Sequence, residues 1–394
     1  MSWLVYILLL GCSPSVPPTP PDPRTLRVGG CVGWVDGVCL RADDRPLAVW
    51  ADREFTARSG AAAVRARWEP DVDGYVATLE TPAGELVVER GTERSVIPLR
   101  AEAVSPTLAA ARDTQDPAWE ERAQELLERA DPLARAEIFS ELAHRADLAR
   151  DLPLGASYAA EARAALVEAG RLDLWPHVAF RYAARRVSVE RWLPEVRAQI
   201  DDARRHLTPW WDDWAYLAFV EARLLRREGD VRRSASLARE AAGAFRWIDP
   251  RMVEPSRAEL AEVMRRSGRH GDALLAFADI YLAAPEDACT RGLRLGNYGL
   301  ALDDAARAGF DARTLADPRV QRAGTDPVDV HARSLDLVWA RCGRVEALVA
   351  MENWLLARLE AGAPAATIAP VLPLLRALIY DRGPGTEDQR LVLD

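Results

Sequence analysis

Residues 257–285, RAELAEVMRRSGRHGDALLAFADIYLAAP, decide the fold. Small and apolar residues recur at helical spacing on both sides of Gly268, with almost no strand signal. Glycine ends a helix readily because it takes a left-handed backbone without a Cβ penalty. The stretch therefore reads as a helix pair about one turn. The same grammar runs outward from it. Beyond Ser105 the chain is rich in Ala, Leu, Glu and Arg. Asp131-Pro132, Thr208-Pro209 and Asp326-Pro327 each place a capping residue before proline at a first helical position. Glycines 170, 229, 268, 309 and 343 mark the stops, roughly one helix pair apart, and 170–229 has room for an extra pair. The expectation is a mainly α chain with helical repeats over 105–380 and a tail over 381–394.

The 257–285 stretch resembles a tetratricopeptide repeat. Aligned on the turn at Gly268, the resemblance puts small Ala261 and Ala273 where two helices touch, Phe277 as the core wedge and Pro285 as the terminating proline. Ile280 stands where the repeat usually has a small residue. The preceding unit, 218–247, keeps small Ala222, Ser234 and Ala241 but has Ala238 at the wedge. The resemblance implies a helical solenoid, in which each repeat is stabilised by its neighbours.

Upstream the character reverses. Residues 32–40, 46–51, 64–68, 75–79, 85–89 and 95–99 are short, rich in Val, Leu and aromatics, and punctuated by Asp-Gly, Pro and Gly. That spacing predicts a small β-sandwich over 24–104. Trp34, Trp50 and Trp68 read as its core, with a binding face as the alternative. Cys31 and Cys39 bracket the hairpin signal Asp36-Gly37. A bridge between them is expected, worth about 2.5 kcal/mol on a chain-entropy basis. Pairing of Cys289 with Cys342 is left open.

The N-terminus reads as an address. Residues 3–10, WLVYILLL, carry no charge and are too short to span a ~30 Å hydrocarbon core. Gly11-Cys12 completes a bacterial lipobox pattern, so 1–11 reads as a lipoprotein signal and Cys12 as the lipidated residue. Residues 12–23, CSPSVPPTPPDP, form a proline-rich tether. An exported, lipid-anchored protein on a bacterial envelope membrane, periplasmic or surface-facing, is expected.

Composition narrows the function. The formal charge of −9 argues against a nucleic-acid partner. All 51 cationic residues are arginine, which removes every chemistry that needs a lysine, including Walker A loops and Schiff-base catalysis. Histidines 144, 177, 206, 270 and 331 stand apart from one another, and neither His-Glu-x-x-His nor Cys-x-x-Cys occurs. No metal, no cofactor and no enzymatic activity are expected. The candidate contacts are tryptophans. In 209–216, PWWDDWAY, Trp211 and Trp214 share a helix face, and Trp175 and Trp192 precede them. These four read as lining a groove for a protein or peptide partner, or as inter-repeat packing. Asp212-Asp213 reads as an acidic first turn favoured by the helix dipole.

The order of lipobox, proline tether, two-cysteine module (29–52, GGCVGWVDGVCLRADDRPLAVWAD) and degenerate repeats resembles the N-terminal part of exported TPR–CHAT proteins. Residues 286–300, EDACTRGLRLGNYGL, are similar to a helix start in that repeat region. In such families a caspase-like domain with a His/Cys dyad follows the repeats. Cys289 and Cys342 fall inside the helical pattern, so no catalytic role passes to them. The resemblance implies a sensing half whose protease lies elsewhere. The functional expectation is a lipid-anchored envelope scaffold that binds a protein or peptide; the alternatives are an accessory lipoprotein of outer-membrane or cell-wall assembly, or that sensing half. Because one acyl chain holds a membrane only marginally and a lipobox cysteine receives several, Cys12→Ser is expected to leave the membrane fraction or retain its signal. Unchanged fractionation and migration would refute the anchor.

Overall fold

Among the described residues the chain is mainly α, with a β region first and fourteen α-helices after it. The computed structural model describes residues 22, 24–364 and 369, apart from 42–45, 81, 83, 103, 115–118, 150, 286, 340 and 343. The signal, Cys12, the tether except Asp22, and the tail lie outside the described residues. Two compact units form, one of 1–68, 74–103 and 208–210, the other of 69–73, 104–207 and 211–394.

The first unit has ten strands: β1 (Leu26–Gly29), β2 (Gly33–Val35), β3 (Val38–Arg41), β4 (Leu47–Ala51), β5 (Thr56–Ser59), β6 (Ala62–Arg65), β7 (Arg67–Glu69), β8 (Gly74–Leu79), β9 (Glu85–Arg90) and β10 (Glu93–Ala101). They lie in two sheets, ordered β1-β4-β8-β7 and β2-β3-β10-β9-β5-β6. The expected strand over 32–40 is two strands, because Asp36 and Gly37 both take positive φ (49° and 78°) and reverse the chain. Val35 then faces Val38, and Cys31 and Cys39 are bridged with Cα atoms 5.5 Å apart. Trp34 and Trp50 are core, whereas Trp68 is half-exposed, edge-on to Tyr75 at 5.3 Å. Gly74 is obligatory: a Cβ there would lie 2.7 Å from the Trp50 ring.

The helices of the second unit are α1 (Pro106–Arg112), α2 (Trp119–Leu127), α3 (Pro132–Leu148), α4 (Leu152–Glu168), α5 (Trp175–Arg186), α6 (Leu193–Arg204), α7 (Trp211–Glu228), α8 (Val231–Ile248), α9 (Val253–Arg266), α10 (His270–Leu282), α11 (Ala288–Arg307), α12 (Pro318–Ala323), α13 (Pro327–Trp339) and α14 (Arg344–Glu360). Capping follows the sequence at Asp131, which accepts from Ala134 N (2.8 Å), and at Asp326, which accepts from Val328 N (2.8 Å). It departs at Thr208-Pro209. There α7 starts only at Trp211, and the Pro209 carbonyl accepts from Val28 N at 2.7 Å instead. Gly170, Gly229, Gly268 and Gly309 all take positive φ at helix ends. Residues 170–229 hold three helices, α5, α6 and α7, where 229–268 and 268–309 hold two each, so one extra helix fills the longer interval rather than the expected extra pair.

Each helix packs on near neighbours along the chain: α3 on α4 and α5, α5 on α6 and α7, α7 on α8 and α9, α9 on α10, α10 on α11. Several bonds between hairpins share a spacing. Arg186 bonds Asp147, Arg163 bonds Asp202, Arg223 bonds the Ala184 carbonyl and Arg265 bonds Asp304, each across 39 residues. Arg294–Glu254 and Arg319–Asp279 span 40. From α7 to α9 the spacing is shorter, 33 for Arg226–Glu259 and 36 for Arg226–Glu262.

Phe277 is buried with Ala261, Leu274 and Ala278 of its own hairpin and Leu295 and Tyr298 of α11. At the far end Cys289 and Cys342 are bridged, and α11 meets α13 closely enough that a Cβ on Gly292 would lie 2.6 Å from Val338. Phe277→Ala is expected to cost roughly 3–5 kcal/mol, the range for deleting a buried aromatic. Hydrogen exchange should quicken across α9–α11 as a block, since hairpins hold one another; an unaltered exchange pattern would mean a different register.

Candidate functional site

The offset of 39 residues lays α5 and α7 side by side and parallel. His177 meets Tyr216 edge-on at 5.7 Å, and Arg223 bonds both the Ala184 carbonyl (2.7 Å) and the Ser188 hydroxyl (3.1 Å). Arg227 reaches the Ser188 carbonyl (3.2 Å). At 3.6 residues per turn, His177, Phe180, Arg181 and Ala184 fall on one side of α5, and Ser188 follows two residues beyond its end. Asp212, Tyr216, Arg223 and Arg227 fall on one side of α7. These positions are only partly buried or exposed, while those between them are largely core. The two helices therefore present a joint open face.

An aromatic cluster lies on that face. Phe180 and Tyr216 ring centroids are 4.5 Å apart, and Tyr216 contacts Phe245 of α8 at 5.1 Å. The Tyr216 hydroxyl donates to Asp249 Oδ2 at 2.7 Å, and Arg251 holds the same carboxylate at 2.9 and 3.1 Å. Burial acts to raise the Asp249 carboxyl, but the bonds from Arg251 and Tyr216 outweigh it and keep it ionised. Burial, then the bond to Asp249, raises the Tyr216 phenol. Tyr216 is thus fixed in place as a neutral ring.

Under the face lies Asp213. Its side chain is 1% exposed, and burial, with Asp212 and Asp173 nearby, pushes its carboxyl well above the usual range. His177 Nδ1 is 3.7 Å from Asp213 Oδ1, too far for a hydrogen bond. A third of the His177 side chain is open, yet desolvation, then the positive Arg181 and Arg112, pull its pKa down to about 3. Burial thus disfavours the charged form of both partners in this close approach. Asp213 is accordingly more than the dipole-favoured first-turn acid read from sequence.

The predicted tryptophans sit elsewhere. Trp175 and Trp211 are completely buried, which corrects their assignment as groove lining: their large apolar rings fill the space between hairpins. Trp192 is half-buried beside the Arg186 guanidinium, 5.3 Å from its ring. Trp214 is half-buried but two residues, about 200°, from Tyr216 around α7, so it faces away from the open face. Phe180 and Tyr216 were missed. The signal for them was phase: Phe180 lies about 140° from Trp175 around α5, and Tyr216 about 140° from Trp211 around α7, away from the buried rings.

Among the described residues no group of three or more His, Cys, Asp or Glu side chains is arranged to hold a metal ion. The chain matches no model of a known protein family and no curated protein.

Between the ordinary values of 3.8 for aspartate and 6.5 for histidine, the two shifted groups act in opposite senses. Unfolded His177 would carry a proton that the folded one lacks, so its contribution favours folding more as pH rises. Unfolded Asp213 would be ionised while the folded one stays protonated, so its contribution disfavours folding more as pH rises. Relative to wild type, Asp213→Asn is expected to gain stability on going from pH 4 to 7 and His177→Gln to lose it, read from urea unfolding at both pH values. Profiles parallel to wild type for both variants would show that folding shifts neither group's titration.

Proposed function

We propose that this chain is a binding module that holds a protein or peptide partner on the α5–α7 face, in an extracytoplasmic, lipid-anchored setting. The observation carrying the reading is the Phe180–Tyr216 pair, left half-open where two parallel helices meet although neighbouring rings are core. Aromatic side chains fixed in place by packing are good anchors, because they lose little freedom on binding and give up much apolar area to water when left open. A row of hairpins suits the role, since repeated helices build extended surfaces rather than enclosed pockets. Two disulfides, one in each unit, fit a protein that folds in an oxidising compartment. The lipobox supplies the anchor in this reading. The solenoid character and the tetratricopeptide relationship belong to the same proposal, supported by the neighbour-on-neighbour packing and the placement of Ala261 and Phe277.

A photo-crosslinking residue at Ala184, on the face, and another at Trp214, on the opposite side of α7, test this in the membrane-anchored protein. The expected outcome is a discrete adduct from position 184 and none from 214. Equal labelling from both, or none from 184, would remove the α5–α7 face as the binding site.

A further inference from the structure

Charge on the α5–α7 face is uneven, in a way the net charge of −9 does not suggest. Arg181 forms no ion pair among the described residues, and Arg227 is spent on a backbone carbonyl rather than a carboxylate. Arg223 bonds the Ala184 carbonyl and the Ser188 hydroxyl and pairs with Glu259 at 3.8 Å. Several arginines elsewhere in the helical unit are matched to carboxylates, among them Arg163 to Asp202, Arg186 to Asp147, Arg226 to Glu259 and Arg265 to Glu262. On this face three arginines cluster along the C-terminal halves of α5 and α7. Of the acids on the face, Asp249 is held by Arg251 and Tyr216, and Asp212 lies at the opposite end, three helical turns from Arg223. The positive field is felt locally, since Arg181 and Arg112 help keep the His177 ring unprotonated.

Resting on the binding-module reading, we infer that the partner segment is an acidic peptide: an apolar side chain seats on Phe180 and Tyr216, and flanking carboxylates meet Arg181 and the Arg223–Arg227 pair. The chemistry is complementary at both ends. The guanidinium fork presents several N–H donors at once and binds carboxylate in bidentate fashion, and Arg181 and Arg227 reach a ligand without breaking an internal ion pair. The aromatic floor between His177 and Ala184 supplies the apolar contact. The sequence polarity of the face sets a direction, with the anchor toward the helix N-termini and the acids toward their C-termini. An exposed aromatic–arginine surface also attracts single-stranded nucleic acid, and the experiment separates the two.

The test titrates fluorescein-labelled twelve-residue peptides into the full chain by polarisation. Each carries one central Phe flanked by Glu, Gln or Lys, beside a single-stranded oligonucleotide of matched length. The Glu peptide is expected to bind most tightly, to weaken as salt rises, and to lose roughly three- to five-fold for each of Arg181→Gln and Arg227→Gln, the scale of an exposed ion pair. Arg181→Glu should shift preference toward the Lys peptide. Melting temperatures should stay near wild type, because neither arginine holds a carboxylate in the fold. Equal affinity for Glu and Gln peptides would overturn the acidic assignment and leave the binding-module reading standing. Tighter binding of the oligonucleotide than of the Glu peptide would overturn it in favour of nucleic acid. Failure of every peptide and of the oligonucleotide would remove both the assignment and the face as a binding site.

Discussion

The offset between successive hairpins, 39 or 40 residues at several steps and 33 to 36 from α7 to α9, is the constraint on which the rest of the helical unit depends. Arginine enforces it. The clearest case is Arg186, fully buried, which donates to Asp147 Oδ1 at 2.5 Å and to the Leu152 carbonyl at 2.6 Å while lying 3.6 Å over the Tyr182 ring. Gly155 makes room for it, since a Cβ there would sit 2.6 Å from Arg186 Nη2. A buried ion pair gains little net energy over an apolar substitute, because both charges must be desolvated. It does discriminate between registers: a hairpin shifted by one turn would leave the guanidinium and carboxylate buried and apart. The same device recurs at lower burial in Arg163–Asp202 and Arg265–Asp304. A chain without lysine is suited to it, because a planar fork bonds a carboxylate and a carbonyl together.

That register also creates the open face. With α5 and α7 parallel and offset by 39, Tyr216 lies beside His177 and Phe180, and Arg223 beside Ala184. None of these pairs is adjacent in sequence. Helix phase, set by Trp175 and Trp211 inside, decides which residues remain outside. Burial then biases their protonation: desolvation pushes the Asp213 carboxyl up, and desolvation with positive neighbours pulls the His177 imidazole down.

The two disulfides act at different scales. Cys31–Cys39 closes a short loop about a hairpin whose turn residues already favour it, so it reinforces local structure. Cys289–Cys342, 53 residues apart in sequence, ties the start of α11 to the end of α13, where Gly292 and Gly299 bring the helices into close approach and His331 bonds Asp303 at 2.8 Å. Loop closure over that distance removes more freedom from the unfolded chain.

Sequence by itself determined the secondary structure and its punctuation. The β-to-α change near 104, the Asp36-Gly37 reversal, the caps at Asp131 and Asp326, the glycine stops and the packing role of Phe277 were all legible, because each depends on local conformational preference or helical period. The pairing of Cys31 with Cys39 was legible for the same reason. What only the tertiary structure decided were distances across hairpins: the offsets between them, the late start of α7 at Trp211, the Cys289–Cys342 bridge and the burial of Asp213. Tryptophan pointed toward binding by composition, yet Trp175 and Trp211 went to the core, because a large apolar ring gains most from complete burial. The open positions fell to Phe180 and Tyr216. Periodicity gives a helix its faces; only packing against its neighbours decides which of them meets water.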